Sequence, residues 1–115
     1  MEFYEYQNEA FSTAVYPNLG NNLIYPALKL AGEAGEVAEK IGKFSRKSGI
    51  AFPTRNDMDY TYAESIALEL SDCLWYINAL AMELGFTLDD IAAMNLEKLA
   101  SRKERGVIIG EGDNR

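Results

Sequence analysis

Apolar positions recur at three- and four-residue spacing in four separate stretches of this chain, the signature of amphipathic helices. Phe3, Tyr6, Gln7, Ala10, Phe11 and Ala14 form a broad, mostly apolar face, which predicts a first helix over about Phe3 to Val15. The segment YPNLGNNLIYP, with Pro17, Gly20, Asn21 and Asn22, reads as a loop. Pro26 suits the first turn of a second helix, where the N–H it lacks would have no partner, and the pattern runs on to about Arg46. Gly49, Pro53 and Asn56 mark Ser48 to about Asp59 as a flexible connection able to order around a ligand. A third helix spans about Tyr62 to Leu84 and stops at Gly85. Thr87 caps a fourth helix, Asp90 completes a capping box, and the helix runs to about Lys103. The tail GVIIGEGDNR holds three glycines and reads as irregular over about 106–115. The expectation is an all-α fold, a four-helix bundle-like protomer, with 1–115 as a single domain.

Helices two and three are related to each other. A shift of 36 positions places Leu30 on Ile66, Glu33 on Glu69, Glu36 on Asp72, Val37 on Cys73 and Ile41 on Ile77. Each helix therefore carries a pair of acids at the same place beside its apolar stripe. At about 100° per residue the first acid of each pair lies roughly 60° from the stripe centre and the second roughly 120°. One such pair is the ordinary spacing of a solvated helix face. Two matching pairs, each flanking a stripe, would converge along one edge if the stripes pack together. Four carboxylates held that close repel one another, and a divalent cation would relieve the repulsion. Glu39 points opposite the stripe and reads as solvent-facing. Glu64 and Glu83 have no evident partner.

Composition narrows the chemistry. Hydrophobic residues make up 48% and charged residues 25%, an ordinary globular balance. No apolar run reaches the roughly 20 residues that span a bilayer. The acidic, mixed start MEFYEYQNEAF is no signal peptide, so the expected location is cytoplasmic with no membrane partner. A net charge of −7 argues against a nucleic-acid polymer as partner. The chain has no histidine, which excludes Ser-His or Cys-His catalysis and histidine-bound zinc or iron. Any metal must be held by oxygen, which favours magnesium, manganese or calcium. Cys73 lies on an apolar face and reads as an inert, buried thiol.

A second constellation lies on helix four. Asn95, Lys98 and Arg102 are spaced i, i+3, i+7 and project along one ridge. Arg can grip a phosphate bidentately and Lys adds a point charge, although end-of-helix cations are also ordinary. Lys43, Arg46 and Lys47 near the end of helix two suit the helix dipole. Tyr76 lies near the acidic edge and could stack on a base. Trp75 points away from the main stripe, which suggests a second buried surface of the oligomer-interface kind. Asp113 and Arg115 could fold over a site, in this subunit or a neighbour, but a frayed terminus is the default for such a tail.

Together these residues resemble a known family. The stretches YPALKLAGEAGEVAEKIGK and ELSDCLWYINALAMELGFTLDDIAAMNLEKLASRKERG are similar to the MazG-like nucleotide pyrophosphohydrolases of the all-α NTP pyrophosphatase superfamily. The family's ExxE and ExxD halves match Glu33 with Glu36 and Glu69 with Asp72. Its Asn-x-x-Lys-Leu-x-x-Arg pattern matches Asn95, Lys98, Leu99 and Arg102. The stretch between the acid pairs is longer than the usual spacer, and the excess falls in the 48–59 loop. The resemblance implies magnesium-dependent cleavage of a (deoxy)nucleoside triphosphate to monophosphate and pyrophosphate, with manganese able to replace magnesium. It makes Glu33, Glu36, Glu69 and Asp72 the metal-binding and catalytic set and Asn95, Lys98 and Arg102 the substrate ligands. It also implies a homodimer or homotetramer. Two other readings of the residues stay open: a non-catalytic metal- and nucleotide-binding module, and a helical oligomerisation domain with a solvated acidic rim.

Overall fold

The computed structural model describes all 115 residues and contains helices and turns only. Helix α1 covers Phe3–Phe11, α2 Ile24–Ser48, α3 Tyr60–Leu84 and α4 Leu88–Arg105. No helix is long and apolar enough to cross a membrane.

α1 ends earlier than its apolar pattern predicts. The Ser12 and Thr13 hydroxyls bond back to the Glu9 and Ala10 carbonyls, and the chain turns there. Ala14 and Tyr16 remain buried, but as loop residues. α2 begins two residues before Pro26, with the Asn22 side chain accepting the Tyr25 N–H at 3.0 Å as its start signal. The 48–59 connection contains a short 3₁₀ turn, Arg55–Asp57, closed by a reciprocal cap between Thr54 and Asp57. Gly85 ends α3 in the left-handed region, φ 84°, and Thr87 and Asp90 cap α4 as a capping box.

α2 and α3, each 25 residues and about 37 Å long, form the main pairing of the fold. Their register is antiparallel. Glu33 lies by Asp72, Lys40 reaches Glu69, and Phe44 packs on Tyr62 with ring centroids 5.3 Å apart. The Tyr62 hydroxyl donates to the Lys40 carbonyl and pins the far end of the pair. α1 and α4 pack on α3 and on each other.

The small core sits where α1 and its loop meet α3. Ala14, Tyr16 and Ala79 are buried there with Phe11, Tyr25 and Trp75 against them. The expectation that Trp75 faces an oligomer interface is corrected here. Its Nε1 donates to the Ala10 carbonyl at 3.1 Å and to Thr13 Oγ1 at 3.0 Å, so the second surface it covers is the end of α1. Gln7 is likewise a structural polar residue: its Oε1 accepts the Leu88 N–H and its carbonyl accepts from buried Asn78.

Glu83 has partners that its sequence context does not announce. Its carboxylate accepts from the Tyr16 hydroxyl at 2.8 Å and from the N–H groups of Gly20 at 2.7 Å and Asn22 at 2.9 Å. One side chain thus ties the whole 16–22 loop to α3.

The chain is open. Its radius of gyration is 17.0 Å, against the about 13 Å of a compact domain of about 100 residues. Leu28, Leu68 and Leu96 are 66%, 61% and 68% exposed, and Ile24 and Leu70 are also uncovered. Apolar surface on three helices is therefore left without a partner inside one chain.

Burial pushes the Glu83 carboxyl up, but its three hydrogen bonds outweigh that and hold it below its ordinary value of 4.5. Its contribution to stability is then fully present above pH 4.5 and is lost as pH falls through the depressed folded value. Glu83→Gln should lower stability at neutral pH by about 2 kcal/mol, roughly 8 °C in Tm. The difference from the wild type should shrink in melts taken at progressively more acidic pH.

Candidate functional site

The α2–α3 pairing brings Glu33, Glu69 and Asp72 together, with one carboxylate oxygen from each lying within 4.8 Å of the others. Glu33 and Glu69 are half-buried and Asp72 is exposed. Glu36, the remaining acid of the expected four, is exposed and lies outside this group in the single chain. Three acids this close repel. Part of that repulsion is offset by Lys40, whose Nζ lies 3.8 Å from Glu69.

Cys73 reports the same charge from behind. Burial first, then Glu33, Asp72 and Glu69, push its thiol pKa up, so it stays a neutral thiol. The donor set is oxygen throughout, which fits a hard divalent cation and no soft one.

Two concavities adjoin the acids. One, of about 400 Å³, is walled by Tyr16, Tyr25, Trp75 and Tyr76, with Glu33 and Asp72 on its rim. Tyr16 and Tyr25 stack at 4.9 Å, and Trp75 meets Tyr76 edge-on at 4.9 Å. Tyr76 is thus beside the acids, as its helix position predicts. The Tyr76 hydroxyl is pushed up by burial, then by Tyr25 and the two acids. The other, of about 460 Å³, lies past Lys40 and is lined by Lys40, Lys43, Lys47, Phe44 and Tyr62. Arg46 does not join it and pairs with Glu39 at 3.7 Å on the exposed face.

The α4 ridge sits elsewhere. Lys98 and Arg102 line a depression of their own with Ser101, Arg105 and Asp113, and no residue of the acid group is part of it. Asn95 is exposed on the preceding turn. Arg102 is buried and its guanidinium bonds Asp113 Oδ1 at 3.1 Å, while Lys98 Nζ bonds the same oxygen at 2.9 Å. These contacts, Lys98 first, hold the Asp113 carboxyl below its ordinary range. The irregular tail is tied to α4 by these contacts and by the Arg105 bond to the Arg115 carbonyl.

Residues 25–107 match the family model described as the MazG nucleotide pyrophosphohydrolase domain, which is most of the chain. This chain belongs to the MazG nucleotide pyrophosphohydrolase family. A relative from Mycobacterium phage L5, "Gene 37 protein", is 41% identical over 116 residues, covering 96% of this chain and 96% of its own. No solved structure matches. The family match spans all of α2 but its first residue, and all of α3 and α4, and so includes both the acid group and the cationic ridge.

A carboxylate triad of this geometry should respond to metal. Adding Mg²⁺ or Mn²⁺ to chelator-treated protein at about 100 times its dissociation constant should raise stability by about 2.7 kcal/mol. Asp72→Asn and Glu33→Gln should each remove most of the accompanying rise in Tm. An equal rise in the variants would mean that the ion binds elsewhere.

Proposed function

We propose that this MazG family member is a magnesium-dependent (deoxy)nucleoside triphosphate pyrophosphohydrolase releasing monophosphate and pyrophosphate. The observation that carries this reading is the convergence of Glu33, Glu69 and Asp72 on the α2–α3 seam of a chain with this family match. Glu33, Glu69 and Asp72 would hold the cation, with Glu36 one turn along α2 as the fourth ligand of the assembled site. Magnesium is the expected ion and manganese the alternative. When bound, the cation supplies charge neutralisation along the triphosphate.

The chain's own residues divide the remaining work. A carboxylate oxygen of the group that is not engaged by metal accepts the proton of the attacking water. The aromatic concavity beside Glu33 and Asp72 has the size and flatness for a base, with Tyr76 as one stacking face. Lys98 and Arg102 grip the phosphate chain, and Asn95 bonds phosphate or sugar. Lys40, Lys43 and Lys47 add positive charge at the other end of the acid seam.

Acids and ridge lie apart within one protomer, and apolar surface on α2, α3 and α4 is uncovered. Both features support a homodimer or homotetramer in which α4 of one copy reaches the acids of another. A cytoplasmic enzyme acting on free nucleotides fits this assembly.

Glu69→Gln should abolish magnesium-dependent turnover with the helical circular dichroism intact. Lys98→Ala should act mainly by raising KM. Mixing the two inactive or weakened proteins under conditions of subunit exchange should restore turnover, because some sites would then combine intact acids with an intact ridge. Full activity in Glu69→Gln would remove the acid seam from the reaction, and no restoration on mixing would place both sets of residues in one chain.

A further inference from the structure

The 107–115 segment is built against α4 with more definition than a linker needs. Gly106 ends the helix in the left-handed region, φ 74°, and the Val107 N–H returns to the Arg102 carbonyl at 2.9 Å. Arg115 then closes the segment on itself. Its guanidinium donates to the carbonyls of Val107 at 3.1 Å, Gly112 at 2.7 Å and Ile108 at 3.1 Å. Arg105 in turn donates to the Arg115 carbonyl at 2.7 Å. Gly110 makes room for this closure, since a Cβ there would lie 2.8 Å from Arg115 Cδ.

The closed loop presents Asp113 to the ridge. A single oxygen, Oδ1, accepts from both Lys98 and Arg102. Two cations one turn apart on a helix repel and splay, and both have long, rotamer-rich side chains to order. One carboxylate between them removes the repulsion and fixes both heads side by side. Asp113 meets Arg102 only at Nη2, through Oδ1 and through its backbone carbonyl at 3.4 Å, so the N–H groups of Nε and Nη1 each have no hydrogen-bond partner. The ammonium of Lys98 likewise keeps two of its three N–H donors. A phosphate chain carries several negative charges, more than the one that Asp113 contributes, so attraction to the fork survives.

We propose that Asp113 is a positioning residue that assembles Lys98 and Arg102 into one preformed phosphate-binding fork, with the Arg115-closed loop as its frame. This rests on the reading of Lys98 and Arg102 as phosphate ligands. Preorganisation of this kind strengthens binding by removing the ordering cost from the binding step.

Binding of pyrophosphate to the metal-free full chain, followed by calorimetry, tests the proposal without relying on turnover. Asp113→Asn should weaken binding about tenfold at unchanged Tm, and Asp113→Glu should recover most of the loss. Gly110→Ala should weaken it in the same direction by displacing Arg115. Lys98→Ala must weaken the same binding, and Asp113→Asn should add little on top of it. Unchanged or tighter binding in Asp113→Asn overturns the proposal, the tighter result meaning that Asp113 competes with phosphate. No pyrophosphate binding in the wild type, or binding indifferent to Lys98→Ala, overturns it as well. A wild type that binds pyrophosphate through this fork but cleaves no nucleotide would leave Asp113 in its role and remove the hydrolase reading.

Discussion

The antiparallel packing of α2 on α3 is the interaction on which the rest depends. Two helices carry the same arrangement of stripe and acids, so joining the stripes necessarily draws carboxylates together along one edge. The apolar contact is favourable without regard to direction, whereas the charge it gathers is not. Glu33, Glu69 and Asp72 stand close enough to repel, with Lys40 as only a partial counterweight at 3.8 Å. A stable fold that holds acids in that state is suited to a divalent cation. The Phe44–Tyr62 contact and the Tyr62 hydroxyl fix the register at one end, and the Tyr16–Tyr25 stack organises the other.

The same chain leaves its remaining parts unfinished. α4 carries its cations in a depression away from the acids, and leucines on α2, α3 and α4 face outward. Both facts have one economical explanation, the proposed assembly of copies. Burying those leucines and bringing the ridge to the acids would then be the same event. Stability and activity would depend together on protomer concentration.

Much of this was legible in the sequence, for physical reasons that also explain what was not. Helical period reports which positions share a face, so four helices, Gly85 as a stop and the Thr87–Asp90 cap could be read directly. Period does not report what covers a face. Trp75 was therefore expected at an oligomer contact, while α1 already covers it through the Ala10 carbonyl and Thr13. α1 is shorter than its pattern because Ala14, although apolar and in phase, is buried from a loop. Glu83 carried no signal, since its donors are backbone N–H groups and a tyrosine more than 60 residues away. The GEGDNR tail suggests fraying because glycines are permissive, and only the structure shows Gly110 making room for Arg115. Of the four acids, three converge within one chain and Glu36 does not.

The proposed role of the acid seam is to support cleavage of a nucleoside triphosphate between its α and β phosphates. The most direct measurement is chromatography of products after incubating the purified chain with Mg²⁺ and a panel of ribo- and deoxyribonucleoside triphosphates. Monophosphate and pyrophosphate in equal amounts from at least one nucleotide, abolished by EDTA, is the expected result. Diphosphate with inorganic phosphate, or no product from any nucleotide with folded protein and metal present, would contradict it.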